Sequence, residues 1–172
     1  DSGAFLPAPL PGPLYRLHGA TTGAYDIRHL FMRNRVAVTN KAPAALIRGF
    51  GGPQLYLALE RLMQRIAVEL ELDPLDVIRR TLIQADKFPY RSAAGALYDT
   101  GDYQKAVDIT VGEGRLDDLQ ERRDAARKQG KHYGIGFACV VEPGMSNMGY
   151  LSPILEPETR ERQGPKNGAI SM

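Results

Sequence analysis

Cysteine is almost missing from this 172-residue chain: Cys139 stands alone. An internal disulfide is therefore excluded, and so is a four-cysteine iron–sulfur site within the chain. Long apolar runs are missing too, since none approaches the roughly 20 residues of a membrane-spanning helix. No N-terminal stretch shows the basic, apolar, small-residue succession of a signal peptide. Neither sign of charge dominates. The 22 basic and 20 acidic residues are interleaved and leave a formal charge of +2, too little to argue for nucleic acid or an anionic membrane surface. His18, His29 and His132 share no metal-ligand spacing, which leaves no metal site to read from side chains. No Gly-x-Ser-x-Gly elbow occurs, and nothing pairs a nucleophile with a base. The prolines at 7, 9, 11 and 13 fall at every second position. They give a polyproline-like connector without the P-x-x-P pair of an SH3 ligand. Internal repeats are absent.

What is present is concentrated between Lys41 and Gln54. Gly49, Gly51 and Gly52 stand within four residues, with Arg48 before them and Phe50 among them. Glycine lets main-chain N–H groups approach a ligand that a Cβ would keep away. Gly52-Pro53 then opens a helix, proline being suited to the first helical position. A tight strand-to-helix turn with no ligand fits the same residues. A dinucleotide fingerprint does not, because position 54 is Gln54, and no Gly-Lys-Ser/Thr follows for a phosphate loop.

The periodicity predicts mixed α/β structure. Leu55, Leu59, Leu62, Met63, Ile66 and Leu70 form an apolar stripe on a helix over residues 53–70, with Glu60 and Arg61 starting its polar flank. Met63 reads as core filler. Asp73-Pro74 caps and starts a second helix through about Ile83, burying Val77, Ile78 and Leu82. Asp102 caps a third, from about Tyr103 to Val111. A fourth, over 116–129, is mostly solvated, with Asp117 and Asp118 near its start, Arg127 and Lys128 near its end, and Gly130 as the stop. Glu121 and those aspartates make poor catalytic carboxylates on such a surface. Residues 35–39 read as a strand, and Gly134–Val141 as a buried strand in which Cys139 is inert packing.

Arg48-Gly49-Phe50-Gly51-Gly52-Pro53-Gln54, followed by Ala58-Leu59-Glu60, closely resembles the molybdopterin-binding large subunit of the xanthine dehydrogenase and aldehyde oxidase family, the molybdenum hydroxylases. Gly23-Ala24-Tyr25-Asp26-Ile27, Val38-Thr39-Asn40-Lys41, Leu72 through Arg80, Phe88-Pro89-Tyr90, Tyr98 through Tyr103 and Gly134 through Phe137 resemble further family segments in the expected order. The resemblance runs over nearly all of residues 1–172.

The resemblance implies an internal fragment of a molybdenum-cofactor-binding domain. Residues 1–40 are its lead-in loop and strand, 41–54 the cofactor-proximal glycine loop, 53–130 a helical segment and 131–172 a strand and loop. It implies a partial site for molybdenum–molybdopterin, with Arg48, Gly49 and Gly51 at the cofactor. On the substrate side it implies Phe50 as an aromatic wall, Glu142 at a strand end, and Arg16, the last anchored by no local motif. For Arg16 and Glu142 a plain surface position is the reading that the residues alone favour. No catalytic residue is expected within the chain, the family's general-base glutamate lying elsewhere. Iron–sulfur clusters and FAD are expected on other domains or subunits, beside the rest of the large subunit and a small-molecule substrate. The implied reaction is oxidation of an aldehyde or N-heterocycle with water-derived oxygen, in the cytoplasm or, with an upstream export signal, the periplasm. The chain alone would be inactive. The carbon monoxide-oxidising branch carries a copper-binding cysteine in this loop, and here there is none. A relationship to carbon monoxide dehydrogenase would then be one of name only. A non-catalytic remnant or interaction module is the alternative.

Overall fold

The computed structural model describes residues 1–5, 21–33, 35–44 and 52–141. Four helices dominate: α1 (Gly52–Glu69), α2 (Pro74–Thr81), α3 (Tyr103–Glu113) and α4 (Leu116–Lys128). Between α2 and α3 a 3-10 turn, Ala85–Lys87, leads to a small hairpin of β1 (Tyr90–Arg91) and β2 (Leu97–Tyr98). The hairpin is antiparallel, with Tyr90 opposite Tyr98 and Arg91 opposite Leu97. The Phe88–Pro89 peptide before it is cis.

Local chemistry sets the helix ends. The Asp73 carboxylate accepts from the Leu75 and Asp76 N–H groups at 2.7 and 3.4 Å, and Pro74 fills the first position. Asp102 accepts from Lys105 N at 3.0 Å. Gly130 has a φ of +69°, while its own N–H and that of Lys131 return to Arg127 and Ala126. These paired bonds are those of a Schellman stop. α4 buries no residue, in keeping with its charge pattern.

α2 ends at Thr81 rather than near Ile83 because Leu82 turns extended and bridges Tyr25 in antiparallel fashion. Asp26 N donates to Thr81 O at 2.8 Å and Ile83 N to Ala24 O at 3.0 Å. Residues 24–26 are thereby clipped onto the exit of α2. The core lies where that clip meets α1, α2 and the run ending at Val141. Tyr25, Leu59, Met63, Ala67, Val77, Ile78, Leu82, Ile83, Tyr98 and Tyr103 are all buried there.

Three expectations need correction. The stripe on α1 is rotated: Gly52, Tyr56, Leu59, Glu60, Met63 and Ala67 are buried, whereas Leu62 is exposed and Leu70 lies past the helix end. Glu60 turns inward because a buried hydroxyl awaits it. Residues 35–39 supply a single parallel bridge, Val38 to Gly3, with Ser2 N on Ala37 O at 2.8 Å and Thr39 N on Gly3 O at 2.9 Å. Gly134–Val141 forms no strand with any described residue. Its odd-numbered side chains Ile135, Phe137 and Cys139 turn half inward, and Val141 is fully buried.

α1 also carries apolar residues on its outer side. Leu57 is 74% exposed and Val68 67%. Eleven residues separate them, about three turns, so they lie on one line along the helix.

Candidate functional site

The six residues singled out from sequence, Arg16, Arg48, Gly49, Phe50, Gly51 and Glu142, all lie outside the described residues. The described neighbours of Gly51 and Glu142, namely Gly52 and Val141, both meet α1. Gly52, directly after the glycine loop, is buried at the helix start. Val141, directly before Glu142, is fully buried, and its carbonyl accepts from the Tyr56 hydroxyl at 2.5 Å. Tyr56 lies one turn after Gly52. The stretch leading into Glu142 is thus fastened to the same end of α1 from which the loop departs.

One turn beyond Tyr56 on α1 is a polar cluster within the core. Glu60 is only 7% exposed. The Tyr25 hydroxyl donates to both of its carboxylate oxygens at 2.9 Å. Burial pushes the Glu60 carboxyl above the usual range, while the Tyr25 hydroxyl and the facing main-chain amide of Cys139 oppose that rise. Burial, together with the neighbouring Cys139 thiol and Glu60 carboxylate, drives the Tyr25 phenol up. The Cys139 thiol, half-buried beside them, is likewise raised, first by burial and then by Glu60. A thiol so held is a poor nucleophile.

The turn carrying Tyr25 is built for close approach. Gly23 has a φ of +56°, and a Cβ there would stand 3.0 Å from Leu59 Cδ2 on α1. Gly23 also accepts from the buried Tyr98 hydroxyl at 3.0 Å through its carbonyl. Tyr25, Glu60 and Tyr56 escaped the sequence reading as site neighbours. The available signal was the four-residue step from Gly52 to Tyr56 to Glu60, which places a carboxylate in register with a buried face.

His29 and His132 are exposed. Among the described residues no group of three or more His, Cys, Asp or Glu could hold a metal ion. No helix among them is long and apolar enough to cross a membrane. Beside α2 and α3 lies a cavity of about 270 Å³, lined by residues that include Ile78, Tyr103, Val107, Phe137 and Cys139.

Residues 1–82 match the molybdopterin cofactor-binding domain family. The nicotine 6-hydroxylase large subunit of Paenarthrobacter nicotinovorans is 32% identical over 130 residues, covering 76% of this chain and 16% of that protein. The carbon monoxide dehydrogenase large chain of Afipia carboxidovorans is also 32% identical over 130 residues, covering 70% of this chain and 16% of its own length. Among solved structures, quinoline 2-oxidoreductase from Pseudomonas putida 86 superposes with a TM-score of 0.62 at 25% identity, over 76% of this chain and 17% of that one. A Cu,Mo carbon monoxide dehydrogenase gives 0.55 at 30% identity over the same shares. The chain spans about a sixth of the length of the curated relatives it matches.

Proposed function

We propose, for a chain that belongs to the large-subunit family of molybdenum hydroxylases and carries part of its molybdopterin cofactor-binding domain, that the segment Arg48–Gly51 seats the molybdenum cofactor of an enzyme oxidising an aldehyde or N-heterocycle. One observation carries this reading. The family match over 1–82 encloses the glycine loop, and the loop runs directly into the buried N-terminus of an 18-residue helix.

The residues fit an oxygen-rich, anionic cofactor. A helix N-terminus such as that of α1 presents the positive end of the helix dipole, which suits acceptor oxygens. Arg48, with the main-chain donors at Gly49 and Gly51, would hold the group. Phe50 would offer a ring face that orients a flat substrate. Glu142 would enter from the stretch fastened to Tyr56, and Arg16 would contact substrate. When bound, the cofactor supplies two-electron oxidation with oxygen drawn from water.

The 172 residues alone would not catalyse this. The base, the remaining cofactor loops, the iron–sulfur clusters and the FAD belong elsewhere in the assembly, which we assign to the cytoplasm. Carbon monoxide oxidation is not part of the proposal, because Cys139 is the only thiol and lies well outside the loop.

The test is the native polypeptide that contains this chain, purified from its source cells, with molybdenum assayed in the same fraction. A polypeptide much larger than 18.9 kDa that bears molybdenum and oxidises aldehydes or N-heterocycles supports the reading. A free, metal-less product near 18.9 kDa would mean a non-catalytic remnant.

A further inference from the structure

Glu60 is a buried acid that the proposed reaction does not use. Among the described residues its carboxylate faces no cation. The groups turned toward it are the Tyr25 hydroxyl, from the 21–25 turn, and the amide and thiol of Cys139, from the extended run. A carboxylate kept from water without a counter-charge costs stability unless its acceptors are filled. A core position asks for leucine here, as the apolar residues around it show. A carboxylate in register with Tyr56, Met63 and Ala67 therefore calls for a task other than packing.

The geometry supplies one. Glu60 lies eight residues after Gly52, about 12 Å along the helix axis. Tyr25 belongs to the segment clipped to the exit of α2 by the Tyr25–Leu82 bridge. Cys139 lies two residues before Val141, whose carbonyl is held by Tyr56. One carboxylate thus touches both pieces of chain laid against α1 here, the Tyr25 turn and the Cys139 run, and α1 begins at Gly52, directly after the glycine loop in sequence. Hydrogen bonds fix rotation about the helix axis, which an apolar contact would leave loose.

We infer that Glu60, gripped by the Tyr25 hydroxyl, is a positioning residue: it sets the rotation of α1 and so of the helix start at Gly52, the residue that follows the Arg48–Gly51 segment proposed to seat the molybdenum cofactor. This rests on the reading that the loop seats that cofactor. The pair does not touch the cofactor or the substrate; it acts through the helix.

The experiment uses the native, full-length enzyme with its partner subunits, as wild type, Tyr25→Phe, Glu60→Ala and Glu60→Gln. Four quantities are read: molybdenum per polypeptide, thermal midpoint, and kcat per bound molybdenum and KM for the aldehyde or N-heterocycle that wild type oxidises fastest. Tyr25→Phe keeps the ring and deletes only the donor, so the core stays filled even where Glu60→Ala fails to fold. The expected result is a fall of about tenfold in kcat per molybdenum for Tyr25→Phe, with KM within about twofold. Glu60→Gln, which keeps an acceptor for the Tyr25 hydroxyl, should stay near wild type where Glu60→Ala falls as Tyr25→Phe does. A lowered thermal midpoint with unchanged kcat per molybdenum in Tyr25→Phe would overturn the inference, leaving a structural role alone. Wild-type enzyme devoid of molybdenum would instead remove the cofactor reading, and the inference with it.

Discussion

The Tyr56 hydroxyl donates to the carbonyl of Val141 at 2.5 Å, joining residues 85 positions apart at one point on α1. The bond is buried, so the carbonyl has no water to turn to when the hydroxyl is removed.

Tyr56→Phe should therefore destabilise the protein by about 1–3 kcal/mol, the cost of leaving a buried acceptor unpaired. Faster amide hydrogen exchange through residues 137–141, with α3 and α4 unchanged, is the local signature to measure. Protection equal to wild type in that run would show that the bond holds nothing in place.

A second prediction concerns pH. Asp26 binds Lys87, accepts from the Tyr90 hydroxyl at 3.0 Å and lies 3.6 Å from Arg28. The bond from Lys87 is the largest influence and holds the carboxyl below its ordinary range, against a smaller opposing effect of burial. Tyr90 is pushed up to about 12, first by burial and then by Asp26. A depressed folded-state carboxyl contributes stability that is present above its unfolded value, and that is lost as pH falls through the folded one. Asp26→Asn should cost about 1 kcal/mol at pH 7, in the range of partly exposed charge-assisted pairs. The gap to wild type should persist to about pH 4 and close below it. Thermal midpoints from pH 7 to pH 2 check this, and a gap that widens on acidification would contradict it.

Gly101 is held open by aromatic rings. A Cβ there would stand 2.8 Å from Tyr103 Cε1 and 3.0 Å from Phe88 Cζ. Those two rings meet edge to face at 5.2 Å between centroids. Gly101→Ala should force the pair apart and cost about 1–3 kcal/mol, as overpacking does. Chemical denaturation measures it; a neutral result would mean that the rings shift freely.

The aromatic wall proposed at Phe50 has its own test. In the full-length enzyme, Phe50→Ala should lower kcat/KM for aromatic substrates about tenfold while molybdenum content stays near wild type. Equal kinetics in both proteins would remove Phe50 from the substrate pocket.

Helix positions, the starts of α2 and α3 and the stop of α4 were legible because they are local. The carboxylates of Asp73 and Asp102 and the glycine at 130 each act within one turn of the residue that carries them. The buried faces of α2 were readable for the same reason. Features joining distant residues were not. The β1–β2 hairpin, the Tyr25–Leu82 bridge and the inward turn of Glu60 depend on partners that no periodicity reveals. Glu60 misled most, since a charge on a helix ordinarily marks the wet side. The loop and Glu142, which the sequence suggests for the site, lie outside the described residues. The structure contributes what fastens their neighbours, namely buried Gly52 and the Tyr56–Val141 bond.

Leu57 and Val68 give α1 two greasy sides, which makes the sign of one substitution depend on company. In the 172 residues by themselves, Leu57→Lys removes sticky surface and should improve solubility. In a longer polypeptide that lays more chain over that side, the same lysine is starved of water and should cost several kcal/mol. A single lysine at this position, scored once in each setting, reports whether α1 is an outer wall of the enzyme or a partition inside it.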